Sequence, residues 1–253
     1  MRYLSAKPTA KNTAPNVRGF VMYEGNSELT GEPIAVIATL VSKNAKTGDM
    51  IQTWIIRADM DPLDAVKEKK DAAICGNCVH RRSTGGACYV EIGKAPKQVY
   101  KAYKAGKYPT FNYDDHAHYF AGRKIRLGAY GDPAAAPFGV MRSIADLGAG
   151  WTGYTHQAGR KGFDPRFMEL CQVSADSPKQ AEKFQAMGAK TFRVAMAGDA
   201  LADNEIECLS DSKGLNCLDC MLCDGTTKNI AITVHGSQAN KFKTQMITAI
   251  NIQ

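Results

Sequence analysis

The order of apolar and polar positions divides the chain into two rhythms. Three β-like runs come first, Gly19 to Tyr23, Ile34 to Leu40 and Ile51 to Ile56, with turn signals at Glu24-Gly25-Asn26 and across Asn44-Ala45-Lys46-Thr47-Gly48-Asp49. They predict a small N-terminal antiparallel β meander. Asp61-Pro62-Leu63-Asp64 puts proline at a first helical position with acids around it. A helix is expected from there to about Ala73, delivering the chain to its first cysteines. From residue 96 onward helix and strand alternate. Helices are expected over 96–105, 135–147 and 178–187, the last closed by Gly188, and strands over 124–129, 151–155, 168–173, 191–195, 205–208 and 230–234. This alternation predicts an α/β fold, either an open, mostly parallel sheet or a partial (β/α) barrel with right-handed crossovers. In either case functional groups collect just past the carboxyl ends of the strands. The first 16 residues lack periodicity and read as a flexible tail, leaving 17–253 as a single α/β domain with metal-binding loops at 74–90 and 208–224.

Composition narrows the class. Hydrophobic residues make up 44% and charged residues 23% of 253, an ordinary globular balance with enough apolar content for a core. No run approaches the length of a membrane span, and Met1 to Pro8 has no apolar signal region, so a cytoplasmic protein without a membrane partner is expected. The net charge of +7 favours polyanions. Lys94, Lys97, Lys101, Lys104 and Lys107 recur at helical spacing beside Tyr100 and Tyr103. That basic helix, 94–107, is either a solvated face or a phosphate-contacting surface for nucleic acid.

Cysteine spacing carries the sharpest chemistry. Without a secretory signal, eight cysteines point to ligands rather than disulfides. Cys208, Cys217, Cys220 and Cys223 form a C-x8-C-x2-C-x2-C group. Two-residue gaps turn successive thiolates toward one centre. Four thiolates suit a 4Fe-4S cluster, of which the consecutive run is more typical, or a zinc site, where His235 is a candidate fourth ligand in place of Cys208. Cys75, Cys78 and Cys88 form a three-thiol group in a loop of Gly, Asn, Ser and Thr. Three thiolates leave a coordination position open for substrate or cofactor, unless Cys171 or His80 closes it. Polar groups also fall at successive predicted strand ends: Asp132, Thr155 and His156, Asp176, and His235-Gly236. Asp132, His156 and Asp176 are the catalytic candidates. The plainer alternatives are that Asp132 shapes a turn before Pro133 and that Asp176 caps the following helix.

A three-cysteine loop, a helix, and then a strand running into Gly128-Ala129-Tyr130-Gly131-Asp132-Pro133 resembles the radical S-adenosylmethionine enzymes. Their spacing is C-x3-C-x2-C rather than the C-x2-C-x9-C found here, and their turn carries Glu rather than Asp. The resemblance implies an open 4Fe-4S cluster on the first group and an auxiliary cluster on the second. It also implies S-adenosylmethionine as cofactor, bound near Gly128, Gly131 and Asp132. The stretches Asn44 to Gly48, Ile74 to Cys78, Ala87 to Val90, Trp151 to His156 and Cys217 to Gly225 look like an uncharacterised family of bacteriophages and mobile elements, which implies a viral or mobile-element origin and, if phage-encoded, a host-cell cytoplasmic setting. Three functions remain open. One is a radical-enzyme-like iron–sulfur protein acting on a nucleotide or nucleic acid. Another is a zinc-dependent base-exchange enzyme similar to the deazaguanine transglycosylases, with Cys217, Cys220, Cys223 and His235 as ligands and Asp132 or Asp176 as nucleophile. The third is a non-enzymatic, metal-stapled protein that binds nucleic acid or a host protein.

Overall fold

A computed structural model describes residues 17–235 and 238–250, so the stretch 1–16 and Gly236 lie outside it. The early apolar runs form strands β1 (Gly19–Asn26), β2 (Pro33–Thr39) and β3 (Ile51–Arg57), paired antiparallel in that order. The expected 61–73 helix is instead two short ones, α1 (Pro62–Lys67) and α2 (Ala72–Cys75). Asp61 caps the first by accepting from the Leu63 N–H at 2.9 Å. A crowded charge run then ends it, and Lys69 takes a positive φ of 60°, where the helical hydrogen-bond pattern closes off. Helix α3 (Ala95–Lys104) and the single turn α4 (Tyr113–His116) lead to β4 (Ile125–Tyr130). Helix α5 (Phe138–Asp146) is shorter than the predicted 135–147 because Pro137, which lacks an N–H, sits at its start.

The remaining strands are β5 (Trp151–Thr152), β6 (Tyr154–Thr155), β7 (Gln172–Ala175), β8 (Thr191–Ala195), β9 (Glu205–Glu207) and β10 (Asn229–Thr233). Between them lie α6 (Pro178–Ala186) and the single turns α7 (Leu209–Ser212) and α8 (Cys217–Cys220), and α9 (Ala239–Ile250) follows. The predicted strand at 168–173 starts later, since 165–169 is a 3-10 turn capped by Asp164. The strands make two five-stranded sheets, β1-β2-β3-β4-β5 and β6-β7-β8-β10-β9. In the first, β4 and β5 continue the meander in parallel; the second is parallel throughout. A single expected strand, 151–155, supplies an edge to each sheet and breaks at Gly153. A Cβ there would lie 2.8 Å from the Cys171 sulfur, which requires glycine at this junction.

The main core gathers fully buried Phe20, Ile34, Ile37, Ile51, Ile55, Ile56, Ile125 and Leu127 from the first sheet, with Phe120 from the turn before β4, Leu170 and Cys171. Each such side chain contributes about 1.5–3 kcal/mol. A smaller core of Val173, Ala175, Ala181 and Phe184 seats α6 on the second sheet. No helix among the described residues is long and apolar enough to cross a membrane.

Candidate metal centres

All eight cysteines are free thiols. Cys75 ends α2, where Gly76, at a positive φ of 56°, turns the chain. The Cys78 N–H then donates to the Cys75 carbonyl at 3.1 Å, and the Cys88 N–H donates to His80 O at 2.8 Å, which folds the second arm of the loop onto the first. Gly86 permits this closeness, since a Cβ there would stand 2.2 Å from the His80 carbonyl carbon. Buried Asp71 pins the loop by accepting from Arg81 at 3.2 Å and Ser83 at 2.5 Å. Burial pushes up the thiols of Cys75 and Cys88, and each lies in the field of Cys78. The three predicted ligands are therefore brought together. Cys171, one candidate to close the group, is fully buried in the core against Gly153, and the charged group acting on it is Asp132.

Because β3 and β4 are parallel neighbours, the turn after β4 lies beside this loop. The Asp132 N–H donates to the Ile74 carbonyl at 2.6 Å. The Asp132 carboxylate is itself heavily used. One oxygen accepts from Ala134 N–H at 3.0 Å, and the other from His156 N–H at 2.8 Å and Gln157 Nε2 at 3.2 Å. The turn-shaping reading of Asp132 therefore holds, and the same carboxylate also fixes the backbone of His156. Gly128 and Gly131 have φ of 65° and 79°. A Cβ at Gly128 would meet Pro133, and one at Gly131 would lie 2.7 Å from Ile55. Both positions therefore require glycine for the packing of the turn itself.

Gln157 was not signalled by any sequence pattern. Fully buried, it donates to the Cys75 carbonyl at 3.0 Å and to Asp132, so one amide ties the thiol loop to the strand rim. Asp176 follows β7. The cap of α6 is Ser177, whose hydroxyl accepts from Gln180 N–H at 3.2 Å, and this leaves the Asp176 carboxylate for other partners. They are His80 Nε2 at 2.7 Å and His156 Nε2 at 3.8 Å. Burial opposes ionisation of Asp176, yet the two imidazoles hold its carboxyl far below the usual range. Burial likewise opposes a charge on His156, but Cys78 and Asp176 raise its pKa well above the ordinary value. Three predicted strand-end residues therefore converge beside the first thiol group.

The second thiol group assembles from short turns. Asn216 caps α8 by accepting from Asp219 N–H at 3.0 Å, which presents Cys217 and Cys220 from one turn. Burial pushes the Cys223 thiol up to about 12, and Cys217, Cys208 and Cys220 all act on it. Cys208 thus joins the other three. His235 faces elsewhere: its Nδ1–H donates to Thr233 O at 2.8 Å and its Nε2 accepts from Lys46 at 2.9 Å. Buried Arg126 lies beside the second group. It donates to the Tyr89 hydroxyl at 2.7 Å, stands 5.7 Å from the Tyr154 ring centroid, and acts on Cys217; Tyr154 hydrogen-bonds Cys223. No carboxylate is paired with Arg126 among the described residues, and its Nε has no partner.

The basic stripe forms as α3 with its flanks. Lys94, Lys101, Lys104 and Lys107 are exposed, while Pro96 and Val99 face the core. Among the described residues, the group whose ligand atoms all lie within 4.8 Å of one another is His80, His156 and Asp176; no three thiols are packed so closely. No family model matches the chain, and neither the curated proteins nor the solved structures contain a match to it.

Proposed function

We propose that the chain is an iron–sulfur protein, radical-enzyme-like in layout, whose Cys75, Cys78 and Cys88 hold a cluster with one iron left open. In this reading Cys208, Cys217, Cys220 and Cys223 hold a second cluster, and the substrate is a nucleotide or nucleic acid. The observation that carries the reading is the three-thiol group at the carboxyl end of β3, with Cys171 in the core rather than beside it. Spacing supports iron–sulfur over zinc. Tetrahedral zinc with bonds of about 2.3 Å draws its thiolates to about 3.8 Å apart, whereas cluster thiolates sit on different irons and stand further apart. Among the described residues no three thiols have sulfur atoms all within 4.8 Å of one another. The position of Cys208 beside the last three thiols weighs against the transglycosylase-like alternative, which needs His235 there.

An open cluster would supply a free coordination site and one-electron chemistry. The residues around it have separate tasks. Gln157 and Asp132 hold the backbone of the rim, and Arg126 bridges Tyr89, the neighbour of Cys88 in the chain, and Tyr154, which hydrogen-bonds Cys223. The positive charge of Arg126 offsets the anionic charge of a thiolate-ligated centre beside it. Iron, acid-labile sulfide and absorption of anaerobically purified protein test the reading. A brown sample with iron on both groups is expected. A colourless protein with stoichiometric zinc would end it.

A further inference from the structure

Beyond the thiolate centres, we propose that His80, His156 and Asp176 form a separate mononuclear site for a divalent transition metal such as manganese, iron or cobalt. The three ligating atoms all lie within 4.8 Å of one another, with His80 Nε2 at 2.7 Å and His156 Nε2 at 3.8 Å from the same Asp176 oxygen. A metal with bonds near 2.1 Å sets its ligands roughly 3.0–3.4 Å apart, so small rotations of the two rings meet the requirement. Two imidazoles and one carboxylate are the donor set that suits such ions and leaves positions for water or substrate.

The three side chains come from separate parts of the chain, and each has a fixed backbone. His80 sits in the thiol loop, where its carbonyl accepts from Cys88. His156 is held through its N–H by Asp132. The Asp176 N–H donates to the Gln180 side chain at 2.6 Å, and Ser177 takes over the helix cap. Side-chain exposures of 14%, 27% and 21% for His80, His156 and Asp176 leave the group shielded yet reachable from solvent. Cys78 also neighbours His156, so the site adjoins the first thiol group. It stands on its own donors whether or not those thiols carry iron.

Manganese(II) is a suitable probe because it favours imidazole and carboxylate over thiolate. Titrated into the full-length protein and followed by the electron paramagnetic resonance of free ion, it should bind at one equivalent. Asp176→Asn and His80→Gln should each weaken binding by more than about tenfold, with iron, sulfide and circular dichroism unchanged in the same samples. The cobalt(II) spectrum that wild type shows and Asp176→Asn or His80→Gln loses, taken as a difference, should contain d–d bands without sulfur charge-transfer absorption. No manganese binding by wild type at millimolar ion overturns the proposal, as does equal binding by a folded variant. Strong thiolate charge transfer in that cobalt difference overturns it too, by moving the ion onto Cys78. Should Asp176→Asn fail to fold, His80→Gln and its cobalt difference spectrum decide. The iron and sulfide count reports separately on the cluster reading.

Discussion

Single residues on the rim carry more than one task, and Asp132 is the clearest case. A carboxylate that accepts from three N–H donors is poorly replaced by an amide, which turns an NH2 toward a donor and leaves it unpaired. Asp132→Asn should therefore cost about 2 kcal/mol of stability, the range for a lost hydrogen bond to a charged group. Urea titration measures it. An unchanged midpoint together with lost S-adenosylmethionine binding would return the carboxylate to a cofactor-holding task. Gly131 is bound as tightly by sterics. At φ 79°, with Ile55 2.7 Å from the would-be Cβ, Gly131→Ala combines backbone strain with overpacking. A loss of about 2–3 kcal/mol is expected; thermal unfolding at wild-type temperature would show the turn to be more pliant than its packing implies. A third residue-level prediction concerns the pair of Arg193 and Glu205, whose side chains are each 1% exposed. The guanidinium grips the carboxylate at 2.8 and 2.6 Å. Glu205→Gln leaves a buried cation uncompensated and should destabilise by about 3 kcal/mol. Chemical denaturation of the variant within a few tenths of wild type would place the pair in effective contact with water.

Elements follow the sequence where periodicity and local chemistry agree. The meander, α3, α6 with its Gly188 stop, and the parallel strands all have their own apolar pattern, so each was legible, although the cap of α6 is Ser177 rather than the expected Asp176. Other features depend on contacts from far along the chain. Residue 153 must be glycine because a Cβ there would lie 2.8 Å from the Cys171 sulfur, and no local signal marks that contact. The single turns α7 and α8 are too short for periodicity, although Asn216 before Cys217 is a recognisable cap in retrospect. At the site, cysteine spacing made the two thiol groups legible, and strand-end position marked His156 and Asp176. His80 stood out only as a candidate to close the thiol group, and Gln157 not at all, since a buried amide in a loop has no pattern. The basic element α3 keeps a prediction of its own. Phosphate contacts release counterions, so affinity for nucleic acid should fall steeply with salt. Reversing Lys101, Lys104 and Lys107 should flatten that dependence in fluorescence anisotropy; an unaltered salt slope would make the stripe a solvated face.

For the whole molecule, the second thiol group acts as a fastener between distant parts. Cys217 N–H donates to Lys46 O at 2.8 Å, Gly153 N–H to Cys223 O at 3.0 Å, and Cys208 N–H to Ala231 O at 2.8 Å. One centre thus touches the loop after β2, the junction of the two sheets, and β10. Its turns contain few large apolar residues, so in the cluster reading a bound metal would supply what a core supplies elsewhere. Replacing Cys217 or Cys220 by Ser should yield insoluble or strongly destabilised protein. Protonation couples to the same centres. The metal-free thiols of Cys75, Cys88, Cys217 and Cys223 are all raised by burial, Cys223 to about 12, whereas an unfolded thiol titrates near 8.5. A folded-state pKa above the unfolded one means that the folded state binds protons more tightly. The corresponding stability is fully present below about pH 8.5 and is lost as pH rises toward the folded values. Metal-free protein should therefore lose melting temperature steadily above pH 8.5. Metal-loaded protein, whose thiols have already released their protons, should hold its melting temperature over the same interval. Loading at pH 7 should acidify a weakly buffered solution, because each ligating thiol gives up its proton to become a thiolate. Melting curves from pH 7 to 10 and an indicator-dye titration during metal addition measure the two effects independently. Parallel pH profiles for loaded and metal-free protein, with no proton release on loading, would mean that the thiols are core residues rather than ligands.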